Sequence, residues 1–183
     1  MKSILKSLAP VLIVCSSITA NAQEQQPMLG QMAPSFALKA ISGKTYSLEQ
    51  SKGKYVVLHF AATWCPFCNA EAPYLQELYK NFQDKGVEVF IVDVKEDKEK
   101  VDKALARFNF SFPVLLDEDG NISAKYAPEG VQPDLARDEV PLASNIIIDK
   151  EGKISFYSLL NTTAFDAKLT KLKEKLDSLL NSK

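Results

Sequence analysis

Residues 55–68 read Tyr-Val-Val-Leu-His-Phe-Ala-Ala-Thr-Trp-Cys-Pro-Phe-Cys, an apolar run that ends in two cysteines two residues apart. The run predicts a buried central strand, and residues 69–82 after it predict a helix. Cys65 therefore stands at a helix start, where unpaired backbone N–H groups and the helix dipole favour its thiolate. Cys68, one turn further on, can displace a partner bound at Cys65. Pro66 suits the first helical position, where its missing N–H costs nothing.

Two other uses of the cysteine pair are less well supported by the sequence. A zinc site needs about four ligands, and the rest of the chain offers one further cysteine, Cys15, and one histidine, His59. A purely structural disulfide across so short a loop would remove little entropy from the unfolded chain. We therefore expect a redox-active disulfide between Cys65 and Cys68, with no metal and no cofactor.

The N-terminus has the layout of a cleavable secretory signal. Lysines at positions 2 and 6 precede an apolar stretch over residues 8–18, and residues 20–22 form an Ala-x-Ala cleavage site. The apolar stretch is short for a transmembrane helix. A lipid anchor at Cys15 is the alternative, but Val14 stands where a lipobox has a small residue. We expect a signal peptide at residues 1–22, with export to the periplasm.

Composition after cleavage limits the partners that the chain can have. Removing the signal takes away two of the 22 basic residues and none of the 23 acidic ones, so the formal charge becomes −3. This balance does not suggest nucleic acid or an anionic membrane surface as a partner, and we expect no stable membrane insertion of the mature chain. Cys65 and Cys68 are then the only cysteines, which in an exported protein favours disulfide exchange over a structural framework.

The rest of the sequence alternates predicted strands and helices. After a flexible lead-in at residues 23–29, residues 36–48 predict a hairpin, and Ser47 with Gln50 resembles a capping box. Further elements are strands at 87–94 and 112–116, a helix at 95–108, a hairpin of strands 145–149 and 153–157, and a closing helix at 165–180. This order predicts one α/β domain over residues 30–183.

Residues 126–140 do not fit this alternation. The segment contains Pro128, Gly130 and Pro133 together with a mixed run of charges that includes Arg137. A loop of this length inside a small domain is more often functional than accidental. We expect it to recognise a protein partner.

Several stretches together carry a family resemblance. Gly-Gln-Met-Ala-Pro-Ser-Phe at residues 30–36, Ala-Ala-Thr-Trp-Cys-Pro-Phe-Cys at 61–68, Pro73, and Ile-Ile-Ile-Asp-Lys-Glu-Gly-Lys at 146–153 occur in this order. With them the chain resembles the thioredoxin superfamily, and in particular the TlpA/ResA-type exported thiol–disulfide oxidoreductases. The resemblance implies an α/β thioredoxin-like fold, with a central mixed sheet flanked by helices and an N-terminal β-hairpin extension.

The same resemblance implies roles for individual residues. Cys65 would be the attacking thiol and Cys68 the resolving thiol, with Trp64 as an exposed element beside them. Glu71 matches an acidic residue that lies near the cysteines in this family and influences their proton affinity. A solvent-facing helix residue is the alternative for Glu71, and an ordinary packing aromatic is the alternative for Trp64.

Two positions depart from the family pattern. Many thioredoxins have a buried aspartate six residues before the first cysteine, where this chain has His59; a core histidine with one hydrogen bond is the interpretation that we prefer to a proton relay. The fold also places a cis-proline opposite the disulfide. Its usual position falls on Ala143. Either Pro141 serves instead through a local bulge, which is the alternative we favour, or the chain lacks the feature, as some peroxiredoxins do.

The sequence therefore predicts a thiol–disulfide oxidoreductase that exchanges disulfides with protein partners. The residues do not give the direction of electron flow; we expect a reductase, and the resemblance implies a membrane-borne thiol reductant as its electron source. One alternative is a thiol peroxidase, because the opening at residues 30–36 is shared with peroxiredoxins. The Pro-x-x-x-Thr-x-x-Cys pattern typical of a peroxidatic cysteine is missing before Cys65. The other alternative is a binding module that uses the fold as a scaffold without catalysis.

Overall fold

The structure is a computed structural model that describes residues 28–182. The predicted signal peptide at residues 1–22, the alternative anchor at Cys15 and most of the lead-in at residues 23–29 lie outside the described residues. The described residues form the domain that follows these segments.

A seven-stranded mixed sheet forms the centre of the domain. Its strand order is β2-β1-β5-β4-β3-β6-β7, in which β3, β4 and β5 are parallel and the other neighbours are antiparallel. The strands are β1 (Ala37–Ala40), β2 (Thr45–Ser47), β3 (Tyr55–Ala61), β4 (Val87–Val94), β5 (Val114–Asp117), β6 (Asn145–Ile148) and β7 (Ile154–Ser158).

Four α-helices accompany the sheet: α1 (Pro66–Phe82), α2 (Lys98–Leu105), α3 (Asn121–Tyr126) and α4 (Thr170–Asn181). Helix α1 contacts β4, α3 contacts β5 and α4 contacts β6. The predicted α/β thioredoxin-like fold is confirmed. The N-terminal hairpin β1–β2 extends the same sheet, because β1 pairs with β5.

Strand β3 occupies the middle of the sheet and leads to the cysteines. All seven of its residues are buried, as expected for an apolar strand with neighbours on both edges. It runs parallel to β4 and antiparallel to β6, in a register that sets His59 opposite Asn145. The only polar residue of β3 is thereby placed beside a polar residue of β6.

Helix α1 begins immediately after the loop that follows β3. Cys65 is its N-cap and Pro66 its first residue, as the sequence predicts. Leu75 and Leu78 are fully buried on its inner face, and Pro73 lies inside the helix without ending it. Burial of an apolar side chain of this size stabilises a fold by about 1.5–3 kcal/mol, which is how α1 is fixed on the sheet.

Other element boundaries differ from the sequence prediction for local reasons. Helix α2 begins later than residue 95, because Lys95 has a left-handed φ of 59° and Asp97 caps the helix by accepting the Lys100 N–H. Helix α4 begins later than residue 165, because Leu169 has a φ of 56°. Helix α3 was not predicted.

We predict that a side chain at position 120 destabilises the fold. Its φ is +73°, and a Cβ there would lie 2.5 Å from Asp138 Oδ2, while Asp138 is fixed by an ion pair of 2.5 Å with Lys95. Gly130 has a similar φ of +70° but open space around it. Chemical denaturation should show Gly120→Ala to be less stable than Gly130→Ala by about 1–2 kcal/mol. Equal stabilities would show that the Asp138 contact relaxes without cost.

Candidate functional site

The two cysteines lie at the N-terminus of α1 and are joined by a disulfide. Cys65 Sγ also accepts a hydrogen bond of 3.2 Å from the Cys68 backbone N–H, one of the amides that a helix start leaves without a backbone partner. The same N–H would stabilise a thiolate at Cys65 after reduction. The geometry thus gives the first cysteine the more favourable position for negative charge.

The two cysteines are equally buried, but their sulfur atoms have different neighbours. Trp64 is 60% exposed, whereas Cys65 and Cys68 each retain 4% in the disulfide form. Cys65 is therefore no more exposed than Cys68 in the disulfide form. Cys68 Sγ faces inward, 3.9 Å from the carbonyl oxygen of Phe60 at the end of β3. Trp64 lies on the surface beside the pair, where the sequence placed it.

A buried carboxylate holds the loop that precedes the cysteines. Glu96 accepts hydrogen bonds from the backbone N–H of Thr63 and, at 2.8 Å, from its hydroxyl, and it forms an ion pair of 2.6 Å with Lys100. Burial opposes the charge of Glu96, but the bonds from Lys100 and Thr63 together lower its pKa. The sequence gave no sign of this contact, because Glu96 follows a different strand.

Glu71 is buried on the inner face of α1, one turn after Cys68. It is 3% exposed, which excludes the alternative of a solvent-facing residue. The side-chain amide of Asn145 donates a hydrogen bond of 2.9 Å to Glu71 Oε1. Burial raises the pKa of Glu71 to about 8, against the opposing effect of that hydrogen bond. Glu71 can therefore gain or lose a proton near neutral pH.

His59 joins the same buried group from the other side of Asn145. Its Nδ1 lies 3.0 Å from Asn145 Oδ1 and 3.7 Å from Glu71 Oε2. Burial lowers the pKa of His59 to about 4, so the ring is neutral at pH 7. The predicted core histidine thus has a hydrogen-bond partner, and that partner also binds the carboxyl group beside the cysteines.

A small cavity of about 40 Å³ lies next to this group. Glu71 and Asn145 line it from the inside, and Phe165 and Asp166, which precede α4, line it from the outside. The negative charge of Asp166 contributes to the raised pKa of Glu71. A cavity of this size can hold a water molecule, which needs about 10–15 Å³ of such volume.

The prediction that Pro141 is the cis-proline of the fold is wrong for this structure, because all peptide bonds in residues 28–182 are trans. Pro141 lies in a turn in which its carbonyl accepts the Ser144 N–H at 2.8 Å. Ala143, at the usual cis-proline position, has a left-handed φ of 57°. Its N–H donates a bond of 2.8 Å to the Phe60 carbonyl, which a proline could not do.

The segment at residues 126–140 is tied to the domain at several points. Tyr126 is buried and donates a hydrogen bond of 2.6 Å to the carbonyl of Pro34. Arg137 donates to the carbonyls of Ala127 and Pro128 and so holds the segment together, while the residue as a whole is exposed. Leu135 is exposed.

The described part of the chain, residues 28–182, contains no cluster of three or more histidine, cysteine, aspartate or glutamate side chains arranged to hold a metal ion. It also contains no helix with the length and apolar character needed to cross a membrane.

A third buried carboxyl group, that of Asp93, lies near the loop that precedes the cysteines. Asp93, near the end of β4, pairs with Ala61 of β3 in the sheet and is 1% exposed. Burial, reinforced by the charge of Glu96, raises its pKa from 3.8 to about 8. A carboxyl group with a raised folded-state pKa stabilises the fold fully below its unfolded pKa, and this stability is lost as the pH rises towards the folded value.

We therefore predict that Asp93→Asn increases the free energy of unfolding at pH 8 by about 1–3 kcal/mol and gives no such gain at pH 4. The comparison is made by denaturant unfolding at both pH values. The exposed carboxylate Asp84, replaced by Asn, is the control and should show no such gain. A gain for Asp93→Asn that is equal at pH 4 and pH 8 would contradict the assigned titration.

Comparisons with known proteins show the family of the chain. The sequence pattern of the AhpC/TSA family matches residues 29–157. Thiol-disulfide oxidoreductase ResA from Bacillus thuringiensis subsp. konkukian (strain 97-27) is 33% identical over 150 residues, covering 79% of this chain and 80% of that protein. The ResA protein from Bacillus cereus (strain ATCC 10987 / NRS 248) is 36% identical over 132 residues, covering 72% and 70%.

A solved structure shows the same fold. The thioredoxin domain of a thiol-disulfide oxidoreductase from Bacteroides vulgatus superposes with a TM-score of 0.65 and 26% identity, covering 84% of this chain and 98% of that one. The chain therefore belongs to the AhpC/TSA family and, within it, to the ResA-type thiol–disulfide oxidoreductases.

Proposed function

We propose that this protein is an exported reductase of protein disulfides. The observation that supports the proposal most directly is the position of Cys65 at the N-cap of α1, with the Cys68 N–H directed at its sulfur and Trp64 exposed beside it. A signal peptide at residues 1–22 would deliver residues 30–183 to the periplasm. There a membrane-borne thiol reductant would return the pair to the dithiol form.

The reaction would proceed in two exchanges. The Cys65 thiolate attacks one sulfur of the substrate disulfide, the substrate S–S bond breaks, and the other substrate sulfur leaves as a thiolate. Cys68 then loses its proton and attacks Cys65 Sγ, which breaks the mixed disulfide and releases the second substrate thiolate. Two electrons pass from the cysteine pair to the substrate, and the Cys65–Cys68 disulfide is the product.

Glu71 would serve as the proton acceptor for Cys68. It lies one turn away on the same buried face of α1, and its pKa of about 8 is close to the working pH, where proton transfer is most efficient. The neighbouring cavity gives the proton a route towards solvent without exposing the sulfurs.

We predict that Cys68→Ser accumulates a stable mixed disulfide with a protein substrate such as oxidised insulin, whereas Cys65→Ser does not. Without Cys68 the first exchange occurs and the second cannot. Non-reducing gel electrophoresis measures the adduct. In the reduced wild type, iodoacetamide should label Cys65 faster than Cys68. Adduct formation by Cys65→Ser, or equal labelling of the two thiols, would contradict the assignment of roles.

We also predict that Glu71→Gln lowers the apparent thiol pKa in a pH series of alkylation rates. A charged carboxylate near a thiol disfavours the thiolate, so its removal should favour it. Glu77→Gln is the matched control, because Glu77 is an exposed residue of the same helix. If Glu71→Gln and Glu77→Gln give the same profile as wild type, Glu71 has no electrostatic contact with the thiols.

A thiol peroxidase is the second candidate, because the AhpC/TSA pattern covers residues 29–157. The reduced protein would then consume hydrogen peroxide through Cys65 at a rate far above that of a free thiol. The proposed reductase reduces insulin and consumes peroxide no faster than a low-molecular-weight dithiol. The opposite result would assign the peroxidase function.

A further inference from the structure

Asn145 bridges two titratable side chains, and its two side-chain atoms face different partners. Its Oδ1 lies 3.0 Å from His59 Nδ1, and its Nδ2 donates at 2.9 Å to Glu71 Oε1. An amide oxygen can only accept a hydrogen bond. Nδ1 of the neutral His59 ring must therefore carry the ring proton, and this N–H donates a hydrogen bond to Asn145 Oδ1.

The two hydrogen bonds run in one direction, from His59 to Asn145 and from Asn145 to Glu71. If His59 Nδ1 lost its proton to Nε2, it would need a donor, and Asn145 would have to turn its N–H₂ group towards the ring. Its oxygen would then face Glu71, which could meet an oxygen only in the protonated form. His59 Nε2 and Glu71 Oε2 are both buried without a hydrogen bond in the described part of the chain. Glu71 Oε2 lies 3.7 Å from the same His59 Nδ1, and a backbone hydrogen bond at Ser144 raises the pKa of the ring; a proton on Nδ1 is compatible with both contacts.

We propose that His59 is a positioning residue, whose Nδ1–H holds the Asn145 side chain in the orientation that presents an N–H group to Glu71. The effect on Glu71 is to stabilise the carboxylate form in a place where burial disfavours it. The inference deepens the proposed function, since it affects turnover only if Glu71 exchanges a proton with the cysteines.

The connection to the cysteines is short. Cys68 Sγ lies 3.9 Å from the Phe60 carbonyl, and Phe60 is the residue after His59 on β3. The Phe60 N–H donates to the Ser144 carbonyl at 3.3 Å, immediately before Asn145. Cys68 therefore contacts the end of β3 that carries His59, and that strand end is hydrogen-bonded to the residue before Asn145.

Other charged groups face Glu71 and are the same in every variant below. Asp166, which precedes α4, lies across the cavity and disfavours the carboxylate. Lys171, in the first turn of α4, lines the same cavity. The cysteines on α1 carry no charge while they form the disulfide. The variants therefore report on the path through Asn145.

The test uses the oxidised, untagged protein and two NMR measurements. The chain has one histidine, so its imidazole ¹⁵N signals belong to His59. We expect the Nδ1–H tautomer and no protonation of the ring between pH 5 and pH 9. The ¹³C signal of the Glu71 carboxyl group, assigned by comparison with Glu71→Gln, should titrate near pH 8.

Three variants distinguish a positioning role of the His59 side chain from a role in packing. His59→Leu removes the donor but fills the space, so the Glu71 titration should move up by about one pH unit. His59→Asn places an amide N–H where ring Nδ1 lies, and it should restore the wild-type midpoint even if the fold is less stable. In an Asn145→Leu background, His59→Leu should cause no further shift, because the path is already broken.

The outcomes distinguish the inference from the function on which it rests. An Nε2–H tautomer, a Glu71 midpoint unchanged in His59→Leu, or equal additional shifts with and without Asn145 would each overturn the inference. If the midpoints shift as expected but Glu71→Gln resolves mixed disulfides with the wild-type pH profile, the positioning of Glu71 stands and its role in proton transfer falls.

Discussion

The hydrogen bond from the Asn145 amide to Glu71 joins the helix that carries both cysteines to the central sheet. It is buried and joins two residues that lie 74 positions apart in the sequence. Its free energy therefore depends on the register of the sheet as well as on the two side chains. A hydrogen bond of this kind contributes about 0.5–1.5 kcal/mol to a neutral group and about 1.5–3 kcal/mol to a charged one, and it is costly to leave unmade. The bond thus adds to the apolar packing that fixes α1 on the sheet and, at the same time, affects how easily a proton leaves Glu71, one turn after Cys68.

The rest of the site follows from where strands β3 and β6 end. Strand β3 delivers the loop with Thr63 and Trp64 to the N-terminus of α1, and Glu96 binds that loop from the adjacent parallel strand. Strand β6 delivers Asn145 and, before it, the turn in which Ala143 binds the Phe60 carbonyl. Three buried carboxyl groups thereby lie around the loop and helix that carry the disulfide: Glu71 on α1, Asp93 on β4, and Glu96 just after β4. Perturbed carboxyl groups near a reactive pair are typical of sites that move protons.

Much of this was predictable from the sequence because it rests on local signals. The cysteine spacing, Pro66 at the helix start and the continuous apolar run of β3 each predict structure within a few residues, and the strand at 87–94 was correct at both ends. The partners of Glu71 and His59 could not be predicted, because they depend on a register between strands 86 residues apart. The one available signal was Asn145, a polar residue opening an otherwise apolar strand. Pro141 was predicted wrongly for a related reason: the backbone path of a turn depends on contacts such as that between Ala143 and Phe60, which no local pattern records.

The central claim is that Cys65 and Cys68 form a redox centre that donates electrons to protein disulfides. The most direct test is the reduction potential of the pair, measured at pH 7 by equilibration with dithiothreitol and glutathione buffers and quantified by alkylation and mass spectrometry. A reductase predicts a reversible two-electron couple near the reducing end of the range for this fold, about −270 mV. A value near −120 mV, typical of an oxidant, would contradict the proposed direction of electron flow, and a disulfide that does not equilibrate with either buffer would contradict the redox role itself.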